Sequence, residues 1–229
     1  MVIKDIRLYR SQIENVNGNS LPQQFNHRLI IPNLTRLVMK LREFSFSLGD
    51  FDHLYINFTT CIKNGEIVKA KRSIDRYHPW YRYYDVGVDY ETYCKLDGLQ
   101  DLDWVFNIIK ELLLNHFQYD ECLNEKVLYA IEEVREKKEE VVGLYKEKKS
   151  SKNIAQLYLK VLDNGYFLPS ILVTDDKKNE LLKVELPKVI VLKSIGTIQL
   201  SNSKVTIKPR KRPYDKEYLE PMQFTFKSK

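Results

Sequence analysis

Glu66, Lys69 and Lys71 resemble part of a metal-dependent nuclease, in which carboxylates on a hairpin hold the metal and a lysine steadies the attacking water. Asp50 and Asp52 stand upstream as further carboxylates. The spacing from carboxylate to lysine does not fit that pattern, and Glu66 falls beside a turn, where a solvated side chain is the ordinary reading. Asp75, Tyr77 and His78 form a second conceivable acid–base group. Pro79 holds the preceding His78 extended, however, which makes it a loop residue.

The remaining chemistry-bearing residues assemble into no motif. His27, His53, His78 and His116 are scattered, with no HxH, HExxH or Cys/His spacing. The eight glycines form neither GxGxxG nor GxxxxGK[ST], and there is no GxSxG elbow. Cys61, Cys94 and Cys122 contain no CxxC pair, which fits buried free thiols in a reducing compartment. The expectation is a protein without catalytic residues, metal or cofactor, one that binds and does not react.

The densest binding signal is DRYHPWYRYYDVGVDYETY, residues 75–93, with six tyrosines and a tryptophan. Such a run could stack bases, line a pocket, meet a protein or fill a sheet. Lys69, Lys71, Arg72, Arg76 and Arg82 interleave with Tyr77, Trp80, Tyr81 and Tyr83, as single-strand binders combine cations with stacking faces. Asp75, Asp85 and Asp89 would repel phosphates from the same stretch. KPRKRP, with its cations at 208–212, is a second basic candidate. Nucleic acid is therefore the alternative partner, bound weakly through residues 69–83 and 208–212 and sensitive to salt.

Read as a strand, the same stretch has two faces. Tyr84, Val86 and Val88 point one way, as core, while Tyr81, Tyr83, Asp85, Gly87 and Asp89 point the other. Large amphipathic rings mixed with carboxylates are an odd solvent face. Either helices of this chain cover it, or Tyr77, Trp80, Tyr81, Tyr83, Asp85 and Asp89 contact a protein partner, since tyrosine and tryptophan bury much area at small entropic cost.

Several elements must position these residues. VIKDIRLYR alternates as a first strand, and a helix follows Pro32 with Leu34, Leu37, Val38 and Leu41 on one stripe. Leu54, Ile56, Phe58 and Ile62 share a face, and Asn64-Gly65 predicts a type I′ hairpin returning at Ile67. Leu102 to Phe117 form a broad apolar helix that Asp101 could cap, and a further helix is expected from about Glu121 to Lys148. KEKKSSKN marks the boundary, beyond which short β-type runs alternate with Asn-Gly, Pro and Gly. The predicted fold is α+β, with an antiparallel meander and three helices over residues 1–149. A β-rich part is expected over 150–229.

Composition bounds the rest. The 229 residues carry a net charge of +6, but six acids against Lys95 between residues 85 and 103, and a basic stretch from Lys204 to Lys216, argue against one continuous polyanion-binding surface. MVIKDIRLYR lacks the apolar core of a signal peptide, and no apolar run approaches the roughly 20 residues of a membrane span. A cytoplasmic location without membrane contact is expected.

LIIPNLTRLVMKL, HLYINFTTCI and YYDVGVDYETY, in that order and followed by a long apolar helix, resemble immunity proteins of bacterial polymorphic-toxin systems. The likeness covers residues 1–118. It implies a small non-catalytic protein that neutralises a cognate toxin domain by occlusion. The basic charge departs from the acidic character of inhibitors that block nucleases, so the resemblance implies a toxin other than a strongly basic nuclease, unless it docks on the acidic 85–103 region.

Overall fold

The segment HLYINFT is buried on both of its sides, and such double burial suits the middle of a parallel array better than a half-exposed hairpin. In the computed structural model, which describes residues 1–22, 27–71, 75–96, 99–117, 121–210 and 220–227, it forms the central strand β2 (His53–Thr59). The chain is α+β and divides into two units, Met1–Lys138 and Glu139–Lys229.

The first unit has β1 (Asp5–Arg10), α1 (His27–Glu43), β2, β3 (Ile67–Lys69) and β4 (Tyr81–Gly87). The helices α2 (Tyr90–Cys94), α3 (Leu99–Asn115) and α4 (Glu121–Lys137) follow. Its sheet runs β1-β2-β4-β3, with β1 and β4 both parallel to β2 and only β3 antiparallel to β4. The antiparallel meander expected here is therefore corrected. The Asn64-Gly65 turn does form, with Gly65 at φ +80° and the Glu66 amide donating to Lys63 O, but it delivers β3 to β4 and not back to β2. Gly65 N donates to Gly87 O and Gly87 N to Glu66 O, so the turn itself is laced to the end of β4.

That lacing explains Gly87. A Cβ there would lie 1.9 Å from Lys63 O, a backbone atom that cannot swing aside. Gly87→Ala is expected to cost about 3 kcal/mol, the upper end of ordinary overpacking, read as a lowered urea midpoint. An unchanged midpoint would show that the turn is free to move away from β4.

Helices pack on the face that carries Leu54, Ile56, Phe58, Tyr84 and Val86, all buried. Phe58 lies 4.9 Å from Trp104 of α3, ring centre to ring centre, and Phe51 and Tyr84 meet Phe117 at 5.9 and 5.8 Å. α1 begins at His27, ahead of the expected start after Pro32, and Pro32 sits inside it. The buried stripe of Ile30, Leu34, Leu37 and Leu41 holds the helix through the amide that proline lacks. Lys40 of α1 joins Glu43 at 2.7 Å and Glu133 of α4 at 3.2 Å, while Lys137 bonds the same Glu133 at 2.9 Å. Burial opposes the charge on Glu133, and the two lysines outweigh it, holding the carboxyl below its ordinary value.

α4 ends at Lys137, not near Lys148. A 3-10 turn at Lys138–Glu140 follows, with Lys138 at φ +48°, and the next residues form β5 (Val142–Lys149). The helical spacing of Val134, Val141 and Tyr145 is real, but Gly143 weakens a helix there and a ladder with the next strand is available. The boundary expected after residue 149 thus falls after Lys138, because KEKKSSKN is a strand and its hairpin turn.

The second unit is β-rich as expected. β5, β6 (Asn153–Val161), β7 (Phe167–Asp175) and β8 (Glu180–Glu185) make an antiparallel meander in chain order. β9 (Thr197–Leu200), β10 (Lys204–Lys208) and β11 (Met222–Thr225) form a second sheet, whose β9 packs against β5 and β6. Ala155, Leu157, Leu159 and Val161 alternate inward along β6 and meet Ile171 and Val173 of β7. Among the described residues, no helix is long and apolar enough to cross a membrane.

Candidate functional site

Parallel strands in register place side chains from three strands on one face, opposite the helices. Arg7, Tyr55 and Tyr83 form one row, and Tyr9, Asn57 and Asp85 the next. His53 and Tyr81 form a third row at the strand starts. Tyr55 stands at the centre and is 2% exposed. Tyr81 lies 4.7 Å from it, Tyr83 5.1 Å and Tyr9 5.4 Å, all with tilted or edge-on rings, as aromatic quadrupoles favour. Burial, joined by a hydrogen bond with Tyr81, pushes the Tyr55 hydroxyl well above its ordinary pKa, so it stays neutral. The Arg7 guanidinium lies 5.7 Å from the Tyr55 ring centre and bonds Asp5 at 2.6 Å.

Beside the rings, in the row of Tyr9, is a polar pair. Asn57 Nδ2 donates to Asp85 Oδ1 at 2.8 Å, and Ser11 Oγ donates to Asn57 Oδ1 at 2.9 Å. Asp85 is only 5% exposed. Its expected place as an outward charge is corrected: a cross-strand amide from β2 draws it into the sheet. Asp89 lies beyond the far end of β4 and caps α2, accepting from Thr92 N and Thr92 Oγ1 at 2.8 Å each. These bonds hold its carboxyl below the ordinary range.

At the other end of β4 the turn 75–80 carries the exposed rings. Asp75 braces this turn, accepting from Tyr77 N at 2.7 Å and lying 3.1 Å from His78 Nδ1. His78 stacks on Tyr81 at 4.7 Å with 7° between the planes, and Trp80 stands edge-on to it at 5.8 Å. Tyr77 is 84% exposed and Trp80 37%. The Asp75–His78 contact of the conceivable acid–base group therefore exists, but what Asp75 takes from Tyr77 is its amide. The structure gathers Tyr81 and Tyr83 on the face, sets Tyr77 and Trp80 at its edge, and leaves Asp89 apart. It adds Tyr9, His53 and Tyr55, whose alternation was visible but whose neighbours were not.

The other charged candidates are occupied or dispersed. Arg82 turns inward, donating to Pro79 O, Tyr81 O and Asp50 Oδ2, with Phe51 beneath its guanidinium at 5.6 Å. It is withdrawn from any phosphate groove. Lys69, Lys71, Arg76, Lys208 and Arg210 are exposed. Arg72, Lys211 and Arg212 lie outside the described residues. Glu66 is exposed beside its turn, and among the described residues no group of three or more His, Cys, Asp and Glu side chains could hold a metal ion. The three cysteines are free, and Cys122, expected to be buried, is exposed on the first turn of α4.

Asp52 ties the site to its scaffold. Its carbonyl accepts from Lys4 N, its amide donates to Trp80 O, and its carboxylate pairs with Lys4 Nζ at 2.6 Å and with His53 Nδ1. Burial would raise this carboxyl, but the bonds from Lys4 and His53 prevail and lower it. A depressed folded-state value means stability that is present above the ordinary carboxyl range and lost as pH falls through the folded value. Asp52→Asn is expected to lower the thermal midpoint at pH 7, with the gap starting to close at about pH 4 and vanishing only below the depressed folded value. A constant gap across that range would mean that the carboxylate's charge plays no part.

This chain matches no known family model, and no curated protein or solved structure proves similar to it.

Proposed function

We propose that this chain is a non-catalytic inhibitor that binds a cognate toxin domain through the tyrosine face of its N-terminal sheet and blocks it by occlusion. The observation that carries this reading is the one-sided packing of that sheet. The helices of the unit meet the Leu54–Ile56–Phe58 side, while the other side presents Tyr9, Tyr81 and Tyr83 around Tyr55, with Trp80 and Tyr77 exposed at its edge. Rings already fixed against one another lose little freedom on binding, which is what favours aromatic anchors in protein interfaces. The resemblance of residues 1–118 to immunity proteins supplies the class of partner. The nucleic-acid alternative is less supported, because Arg82 is spent on Asp50 and Tyr81 is already stacked by His78.

Co-expression with candidate toxin domains, products of neighbouring genes first, tests the reading. Restored growth, together with a stoichiometric complex of the purified proteins, is the expected result. Growth arrest that persists while the chain is expressed in soluble, folded form rules the proposal out.

A further inference from the structure

The outer edge of β1 borders the tyrosine face, to which its Arg7 and Tyr9 belong, and offers a backbone surface of its own. β1 is the end strand of its sheet and pairs only with β2 among the described residues. Asp5 N donates to Asp52 O and Ser11 N to Phe58 O, so odd-numbered residues address β2. In a parallel ladder the alternate residues Ile6, Leu8 and Arg10 then turn their amides and carbonyls to the open side. Beside this edge runs a groove of about 420 Å³ between β1 and α1, walled by Ile30, Ile31 and Leu34. Ile31 is 52% exposed on a helix whose other apolar residues are mostly buried.

Open edges are commonly blunted by charge. Here Arg7 and Asp5 neutralise each other on their own strand at 2.6 Å, which leaves the edge receptive. We infer that β1 pairs antiparallel with β1 of a second copy of this chain, giving a twofold dimer with a continuous sheet.

Four twofold registers are geometrically open, and the residues choose among them. A centre on Tyr9 pairs only Leu8 with Arg10 and leaves Ile6 opposite Gln12, beyond the end of the strand. A centre on Arg7 sets two guanidiniums opposite each other, which repel. A centre on Ile6 requires the Lys4 amide to reach the partner strand, but that amide already donates to Asp52 O at 2.7 Å. A centre on Leu8 pairs Leu8 with its own copy and Ile6 with Arg10, all through outward-facing backbone groups. It also sets Arg7 opposite Tyr9 on both sides of the axis, in the closely spaced non-hydrogen-bonded positions, where a guanidinium and a tyrosine ring attract. Tyr9 is 40% exposed, and in this register its ring and that of the partner share the Arg7 guanidiniums that Asp5 already holds on each strand. The same axis brings the two α1 helices together over their exposed Ile31 side chains.

Sedimentation of the full chain over a wide concentration range tests this without any toxin, so its outcome is independent of the inhibitor reading. The wild type is expected to dimerise, and Ile31→Glu to raise the dimer dissociation constant at least about tenfold. Leu8→Pro removes an amide that faces away from β2 and should act similarly. If that variant unfolds by circular dichroism, Ile31→Glu alone decides. A wild type that stays monomeric throughout overturns the inference, as does a dimer indifferent to Ile31→Glu. A monomer whose complex with another protein is weakened by Ile31→Glu would give the edge to that protein, and also overturns it.

Discussion

Phe58→Ala is expected to lower the unfolding free energy by about 3–5 kcal/mol, the range for deleting a buried aromatic ring. Phe58 is fully buried in the central strand, with Val86 beside it in register on β4 and Arg10 on β1. Its ring lies 4.9 Å from Trp104 and 6.3 Å from Tyr93, so truncation removes one of the contacts between the sheet and the helices that follow it. The hole cannot collapse easily, because strands on both sides fix the backbone of β2. Domains of this size are stable by only about 5–15 kcal/mol, so the variant loses a large share of the total. Phe58→Leu fills most of the space and should cost distinctly less. Urea unfolding monitored by tryptophan fluorescence measures both, and a loss under about 1 kcal/mol for the alanine variant would show that the sheet is not held by this contact.

The stripe of α3 and the inward set Tyr84, Val86 and Val88 were legible in the sequence, because local periodicity states which side of an element is apolar. Periodicity does not say which strand lies alongside. Leu54, Ile56 and Phe58 alternate in a hairpin and in a parallel central strand alike. What separates the two is the near-continuous apolar character added by Tyr55, a residue that the hairpin reading leaves on a solvent face. The same gap hid the candidate site. Asp85 looks like a surface charge until Asn57 is placed opposite it, and Tyr9 stands far from Tyr83 in sequence yet lies 6.2 Å away in space. Residues 142–149 satisfied both periods, and Gly143, a poor helix residue, was the local sign that pointed to strand.

Pairing Trp80→Ala with Tyr83→Ala separates docking from packing on the tyrosine face. Trp80 contributes its carbonyl to Asp52 N and His53 N, bonds that alanine retains, and its ring is more than one-third exposed at the turn. Its truncation should leave the thermal midpoint nearly unchanged, as partly exposed positions usually do. If the face is the interface, it should weaken the toxin complex by about 2 kcal/mol or more, roughly thirtyfold. Tyr83 is a different case. Its ring packs on Tyr55 at 5.1 Å and on Tyr9 at 6.2 Å, so Tyr83→Ala should reduce both affinity and stability. Asp85→Ala should act on stability alone, because the carboxylate is buried against Asn57 and meets no solvent-borne partner. Calorimetric titration and thermal melts on the same three proteins give the comparison. Should Trp80→Ala bind like the wild type while Tyr83→Ala loses stability alone, the rings are packing for the sheet, and the partner docks elsewhere.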